Sequence, residues 1–253
     1  MDFEVITLFP ELVNDAARHG VTGRALERGL WRLRCHNPRD HAHDAYRRID
    51  DRPFGGGPGM VMLAEPLAAC LRGLHAQRAH EARPAARVIH LRPRGRPLTQ
   101  ARVQALASEP ALALLCGRYE AVDQRVLDRW VDEEISVGDF VVSGGEIPAL
   151  ALMDAVIRLM PGVMRDAESP LQDSFSDGLL EGPHYSRPDR FEGDAVPEVL
   201  LSGHHARIAR WRREQSLAVT AQRRPDLIER ARAQGLLDAS DEAWLRANPQ
   251  NRP

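Results

Sequence analysis

At 253 residues the chain is long enough to bury a full hydrophobic core, as one large domain or as two. A net charge of −2 and an isoelectric point near 6.6 exclude a global polycation, so any nucleic-acid affinity must come from local patches. All 34 basic side chains are arginine; with no lysine, Schiff-base chemistry, a lysine general base and the P-loop lysine are excluded together.

The chain opens on MDFEVITLF, which starts with acidic residues and has no basic region before its apolar stretch; this predicts a first strand at 2–8 and not a signal peptide, and so a cytoplasmic protein. A helical pattern follows at 10–17, then the segment DDRPFGGGPGM at 50–60, whose hydrophobic continuation is unlike a flexible spacer. Strands are expected at 86–91, 112–116 and 134–142, with helices at 100–107, 122–131 and 148–160. This alternation predicts an α/β fold with a mostly parallel sheet. Asp154 and Arg158 interrupt the longest apolar stretch, so no membrane span is expected. Pro161-Gly162 ends the last of these helices, and 165–190 carries prolines, glycines and acids without periodicity. Beyond it, HHARIARWRREQSLAVTA at 204–221 begins a small helical region reaching about Trp244-Leu245. The expected division is 1–163, a linker and docking loop at 164–188, and a C-terminal helical domain at 189–253. Cys35, Cys70 and Cys116 lack metal-ligand spacing and read as small buried hydrophobes in a reducing compartment.

The most informative stretch is DEEISVGDFVVSGGEIP at 132–148, where a β-branched run is broken by Gly138 and stopped by Gly144-Gly145. Adjacent glycines can take φ > 0 and carry no Cβ, so backbone groups there can touch a small molecule; the alternative is a tight connection with no ligand. Pro148 suits the first turn of the helix that follows. LALLCGRYEAVD at 112–123 ends a strand-length apolar run at Gly117, then places Arg118, Tyr119 and Glu120 where open α/β sheets bind ligands. RVIHLRPRGR at 87–96 repeats the form with Pro93 and Gly95.

With GVTGRAL at 20–26, PRD at 38–40, DSF at 173–175 and PHYSRP at 183–188, these motifs resemble, in order, the bacterial tRNA guanine-N(1) methyltransferases of the SPOUT superfamily (TrmD), from Leu8 to about Pro225. The resemblance implies S-adenosylmethionine as methyl donor, a deep trefoil knot forming the donor pocket, tRNA as substrate, and a homodimer with active sites at the subunit interface. It implies donor contacts at His90, Leu91, Pro93, Gly117, Glu120, Ser136, Val137, Gly138, Phe140, Val142, Gly144, Gly145 and Pro148. Arg92 and Arg94 depart from the family's usual Leu-Ser/Thr-Pro-Gln-Gly loop, and His90 replaces a common aromatic. Magnesium assistance is a further family implication, although no acidic cluster in the sequence announces a metal site.

Methylating ring nitrogen 1 of guanine requires removing its proton, and the family's base aligns with Asp173; without the resemblance, an Asp before Ser reads as a helix N-cap. Charge then develops on the exocyclic oxygen, where Arg158 is the family's cation; an i,i+4 pair with Asp154 is the plainer reading. Gly59, His184, Tyr185 and Arg187 are expected near the substrate, and Arg207, Arg210, Arg213, Arg223 and Arg224 on RNA phosphates, against the alternative of an ordinary solvated helix face. Another SPOUT methyltransferase with a different target base, or a non-catalytic RNA-binding protein, remains open. A Rossmann or P-loop enzyme does not, since neither GxGxxG after the first strand nor a GK[ST] turn is present.

Overall fold

The computed structural model describes residues 1–166 and 173–248, so residues 167–172 of the expected linker lie outside the described residues. The chain forms two compact units, Met1–Arg165 and Asp166–Pro253.

In the first unit, β1 (Asp2–Ile6), α1 (Pro10–Ala16), α2 (Gly20–Glu27) and β2 (Arg32–His36) are followed by the short strands β3 (Asp50–Asp51) and β4 (Val61–Met62). Then come α3 (Ala64–His80), β5 (Arg87–Pro97), α4 (Gln100–Ala107), β6 (Ala111–Leu115), β7 (Ala121–Val122), α5 (Gln124–Trp130), β8 (Glu133–Ser136) and α6 (Glu146–Arg158). The main sheet has the order β2-β1-β6-β5-β8, and every pairing in it is parallel. Parallel strands need crossover helices, which cover both faces and leave the central strand without a solvent side. β6 is accordingly buried at all of its positions. Its Leu112 and Leu114 enter the core with Phe3, Val5, Trp31 and α6, while Ala111, Ala113 and Leu115 enter the opposite core with α3 and α5. That split follows the two-residue period of a strand, and each buried leucine contributes about 1.5–3 kcal/mol.

Several boundaries differ from expectation. The strand expected at 134–142 stops at Ser136, because the Ser136 hydroxyl donates to the Gly138 carbonyl (3.0 Å) and accepts from the Gly138 N–H (3.3 Å). With Gly138 at φ 154° the chain leaves the sheet, and Phe140 and Val141 are exposed. The helix expected at 122–131 begins later: Val122 pairs with Met62, and Asp123 caps α5 by accepting from Arg125 N–H at 2.9 Å. The helix expected at 148–160 starts earlier, at Glu146. β5 continues past the expected turn at Pro93 and Gly95: Leu91 and Arg96 both pair with Ile135, so Arg92 to Gly95 form an excursion from the ladder. Gly95 is required there, since a Cβ would lie 2.5 Å from the Ile135 backbone.

The second unit contains a hairpin of β9 (Arg190–Phe191) and β10 (Asp194–Ala195), then α7 (Glu198–Leu201), α8 (His205–Arg223), α9 (Pro225–Ala233) and α10 (Ala239–Ala247). Leu179, Leu217, Ala221, Ile228, Ala231 and Leu245 form its core. Leu179 belongs to the segment expected as linker, and its neighbour Leu180 donates its N–H to Thr220 Oγ1 at 2.9 Å, so this stretch packs into the helical unit. Among the described residues no helix is long and apolar enough to cross a membrane.

Candidate functional site

A cavity of about 190 Å³ opens where β5, β6 and β8 end. Because these strands are parallel, their carboxyl ends share one edge, and the segments leaving them converge there. His90, Leu91 and Pro93 come from β5, Gly117 and Glu120 follow β6, and Ser136, Val137, Gly138, Phe140 and Val142 end or follow β8. Gly144, Gly145 and Pro148 complete the wall, so every residue expected at the donor lines this one cavity. Arg118, Tyr119 and Ser143 line it too, although none of the three is among the expected donor contacts.

The glycines do not act as expected from their φ freedom. Gly145 sits at φ −76°, ψ −8° as the N-cap of α6, and neither it nor Gly144 has positive φ. What they supply is the missing Cβ: one on Gly144 would lie 2.2 Å from Arg118 Nε, and one on Gly145 2.6 Å from the Cys116 Cα. The turn is locked to the end of β6 by Gly145 N–H donating to Gly117 O at 2.9 Å. Gly117 is confined likewise, with its Cβ position 2.8 Å from His90 Cε1. Gly59 does have positive φ, 75°, and its Cβ position is 2.3 Å from Glu120 Cγ, which brings the Asp50 to Met60 loop against the cavity rim. Tyr119, at φ 60°, holds an uncommon left-handed conformation beside Glu120.

Behind the turn, Glu146 is fully buried and fully paired. Its Oε1 accepts from Thr7 Oγ1 at 2.8 Å, and its Oε2 accepts from Arg118 Nε and lies 2.9 Å from Arg118 Nη2. Arg118 also stacks its guanidinium 4.5 Å over the Phe9 ring. His90 is buried, and its Nδ1 donates to Leu115 O at 3.0 Å, which leaves Nε2 the lone pair. Burial holds His90 below its ordinary value, against the opposing pull of the Leu115 carbonyl. Arg92 and Arg94, the two departures in the donor loop, turn to Glu134: Arg92 Nη1 donates to Glu134 Oε1 at 2.9 Å and Arg94 Nε lies 3.7 Å from Oε2.

Arg158 is the last residue of α6, half-buried. Asp173 lies in the other unit, in a turn where Ser176 N–H donates to its carbonyl at 3.2 Å. Among the described residues no helix follows it before α7, so the capping alternative finds no helix there to cap. The cysteines are poor nucleophiles: burial pushes Cys35 up to about 11, aided by Glu4 and Glu11, and Cys70 to about 12, and raises Cys116 well above the usual thiol range. Among the described residues no group of three or more His, Cys, Asp or Glu is arranged to hold a metal ion.

The arginines of the helical unit divide into two kinds. Arg213 donates to buried Asp241 (2.8 and 3.1 Å) and the Leu236 carbonyl (3.1 Å), and pairs with Asp177. Arg210 donates to Glu214 (2.8 Å), Ser240 (2.6 Å) and Asp241 (3.2 Å). These two staple α8 to α10. Arg224 pairs with Asp226 at 2.8 Å on the surface, while Arg207 and Arg223 are exposed. His184, Tyr185 and Arg187 line a separate groove of about 780 Å³ with Ile208 and Trp211; the Tyr185 and Trp211 rings are 6.3 Å apart.

Comparison with known proteins agrees with this arrangement. Residues 1–230 match the family described as tRNA (Guanine-1)-methyltransferase TrmD. Curated relatives named tRNA (guanine-N(1)-)-methyltransferase, from Burkholderia mallei (strain SAVP1) and Burkholderia pseudomallei (strain K96243), are each 57% identical over 245 residues, covering 97% of this chain and 93% of theirs. With its sheet edge, its side-chain-free turn and a match over nearly its whole length, the chain belongs to the TrmD family of tRNA (guanine-1)-methyltransferases.

Proposed function

We propose that the chain, by family an S-adenosylmethionine-dependent tRNA methyltransferase, methylates ring nitrogen 1 of the guanine immediately 3′ of the anticodon, guanosine-37. The observation that carries this reading is the convergence of every expected donor residue on one cavity at the carboxyl edge of the sheet. The residues suit that donor. Gly117, Gly144 and Gly145 present bare backbone, Leu91 and Val142 offer apolar walls, and Glu120 at the rim suits a cationic ligand. When bound, the donor supplies an electrophilic methyl group carried on a sulfonium. Asp173 takes the proton from guanine nitrogen 1, freeing the lone pair that forms the new N–C bond as the methyl–sulfur bond breaks. Arg158 faces the exocyclic oxygen and stabilises the negative charge that grows there.

One distance supports a shared site. Arg158 lies thirteen residues beyond Gly145 along α6, and a rise of 1.5 Å per residue separates them by roughly 20 Å, well beyond the reach of an arginine side chain. We therefore assign Arg158 to the donor cavity of a second subunit, in a homodimer with two interface sites. The exposed apolar side chains Phe9, Val141 and Ile147 favour such an interface: Phe9 lies under the Arg118 guanidinium, and Val141 and Ile147 flank the Gly144-Gly145 turn in sequence. The excursion from Arg92 to Gly95 and the segment from Val137 to Gly145 are the segments through which we take the deep trefoil knot to run. In the helical unit, Arg207 and Arg223 meet phosphates, Arg224 shares its charge with Asp226, and the groove of His184, Tyr185 and Arg187 lies toward the substrate base, as does Gly59. The reaction belongs in the cytoplasm with its tRNA. Magnesium is given no step. Incubation with unmodified tRNA and methyl-labelled donor, followed by mapping of the modified base, tests the reading. Label on nitrogen 1 of guanosine-37 is expected, and label elsewhere or none overturns it.

A further inference from the structure

We propose that Arg118, locked by the buried carboxylate of Glu146, is the positioning residue of the donor cavity, and that this pair sets donor affinity without touching the chemical step. The inference rests on the reading of the cavity as a donor pocket.

A fully buried carboxylate is costly unless each oxygen is satisfied, and Glu146 meets that condition through Thr7 and Arg118. The pairing fixes Arg118 from behind through Nε and Nη2, a two-point grip that a single-donor contact lacks. The Phe9 ring covers one face of the same guanidinium. Thus immobilised, the side chain presses on the wall turn at two places: its Nη1 reaches the Ser143 carbonyl at 3.4 Å, and its Nε occupies the space where Gly144 would carry a Cβ, 2.2 Å away. Glu146 is also the first residue of α6, immediately after the Gly145 cap, so the carboxylate and the turn it braces move as one piece. Arg118 lines the cavity while its Nε and Nη2 are taken by Glu146, which does not line it, and this is the geometry of a brace and not of a ligand contact. Glu120, two residues on, shares the same backbone segment, so displacement of Arg118 would also re-aim the rim carboxylate.

The pair predicts a coupled response. Glu146→Gln keeps the shape and removes the charge, Arg118→Lys keeps the charge and removes the fork, and Thr7→Val removes one donor at constant volume. Each is compared with the parent by calorimetric titration of S-adenosylmethionine, by steady-state methylation of tRNA, and by thermal unfolding. Loss of a charge-assisted hydrogen bond should weaken donor binding by about ten- to a hundredfold, with the donor KM rising in step. Turnover at saturating donor and the KM for tRNA should stay within about twofold of the parent, since the brace acts equally on ground and transition states. A rescue gives the sharpest arm: Gly144→Ala should weaken donor binding in the parent and much less so with Arg118→Ala already present, because the added methyl then has room. Should Glu146→Gln fail to fold, Thr7→Val and the rescue pair carry the test. Parental donor affinity in the folded variants overturns the proposal, as does a uniform loss of turnover that follows the melting temperature. A parent that binds no donor brings down the donor-pocket reading itself and this inference with it.

Discussion

The cavity at the sheet edge and the helical unit are built from opposite materials. In the cavity, the wall turn is defined by what its residues lack: Gly144 and Gly145 leave space already filled by Arg118 and Cys116, and the backbone itself forms the surface. In the helical unit, where we propose the RNA contacts, the charged groups are long side chains, and the fold has first claim on them. Arg210 and Arg213 hold Asp241, itself 2% exposed, while Arg207 and Arg223 stay open. A glycine therefore reports its function by position, whereas an arginine reports it only once its acidic partner is known.

The largest expected effect is at the turn. Gly144→Val drives a branched side chain into the space held by Arg118, so donor binding should vanish while the circular-dichroism spectrum stays that of an α/β protein. Undiminished affinity in a folded variant would move the pocket elsewhere.

Chemistry comes next. Asp173→Asn keeps shape and loses basicity, and single-turnover rates should fall by about 10²–10⁴-fold with donor affinity little changed. Partial recovery at high pH, as guanine ionises unaided, would identify the lost function as proton removal; a rate within a few-fold of the parent near neutrality would sink the assignment.

Two arginines on the same helix should then behave differently. Arg213→Ala leaves Asp241 with Arg210 as its remaining guanidinium partner and should destabilise the helical unit by about 1–3 kcal/mol. Arg207→Ala should change stability by less than about 0.5 kcal/mol, while lowering tRNA affinity and reducing its salt dependence by roughly one phosphate contact. Denaturant melts and salt-titrated binding separate the two; equal effects would erase the distinction between staple and contact.

A smaller effect concerns pH. Burial keeps His90 neutral below its ordinary value near 6.5, so its contribution is complete above that value. As pH falls through it the unfolded chain takes up the proton first, and the folded cavity loses stability. Thermal stability should therefore fall on acidification below about pH 6.5, and His90→Gln should flatten that dependence; an unchanged slope would exclude His90 as its source.

Much of the first unit was legible in the sequence. The apolar run of β6 and the glycines that follow β6 and β8 mark the sheet edge, because buried parallel strands and bare turns leave strong local signals. α3 was missed: its alanines, arginines and histidines dilute the apolar stripe that Leu67, Leu71 and Leu74 bury. β2 was missed because Arg32, Arg34 and His36 occupy alternate positions of an edge strand. Arg118 stood in plain view within GRYE, yet its importance comes from Glu146, a partner beyond β8 that no local pattern connects to it. The staples Arg210 and Arg213 escaped for the same reason, since Asp241 reaches them only through tertiary packing.

The claim that each site is shared between subunits has a direct test in complementation. Gly144→Val removes the donor cavity and keeps Arg158, while Arg158→Ala does the reverse. Each variant alone should be nearly inactive. Co-assembled at equal amounts, half of the dimers are mixed and each holds one intact site, so methyl transfer to tRNA should return to about one quarter of the parental rate. A mixture no more active than its two components would contradict the shared site and return Arg158 to the subunit that carries the cavity.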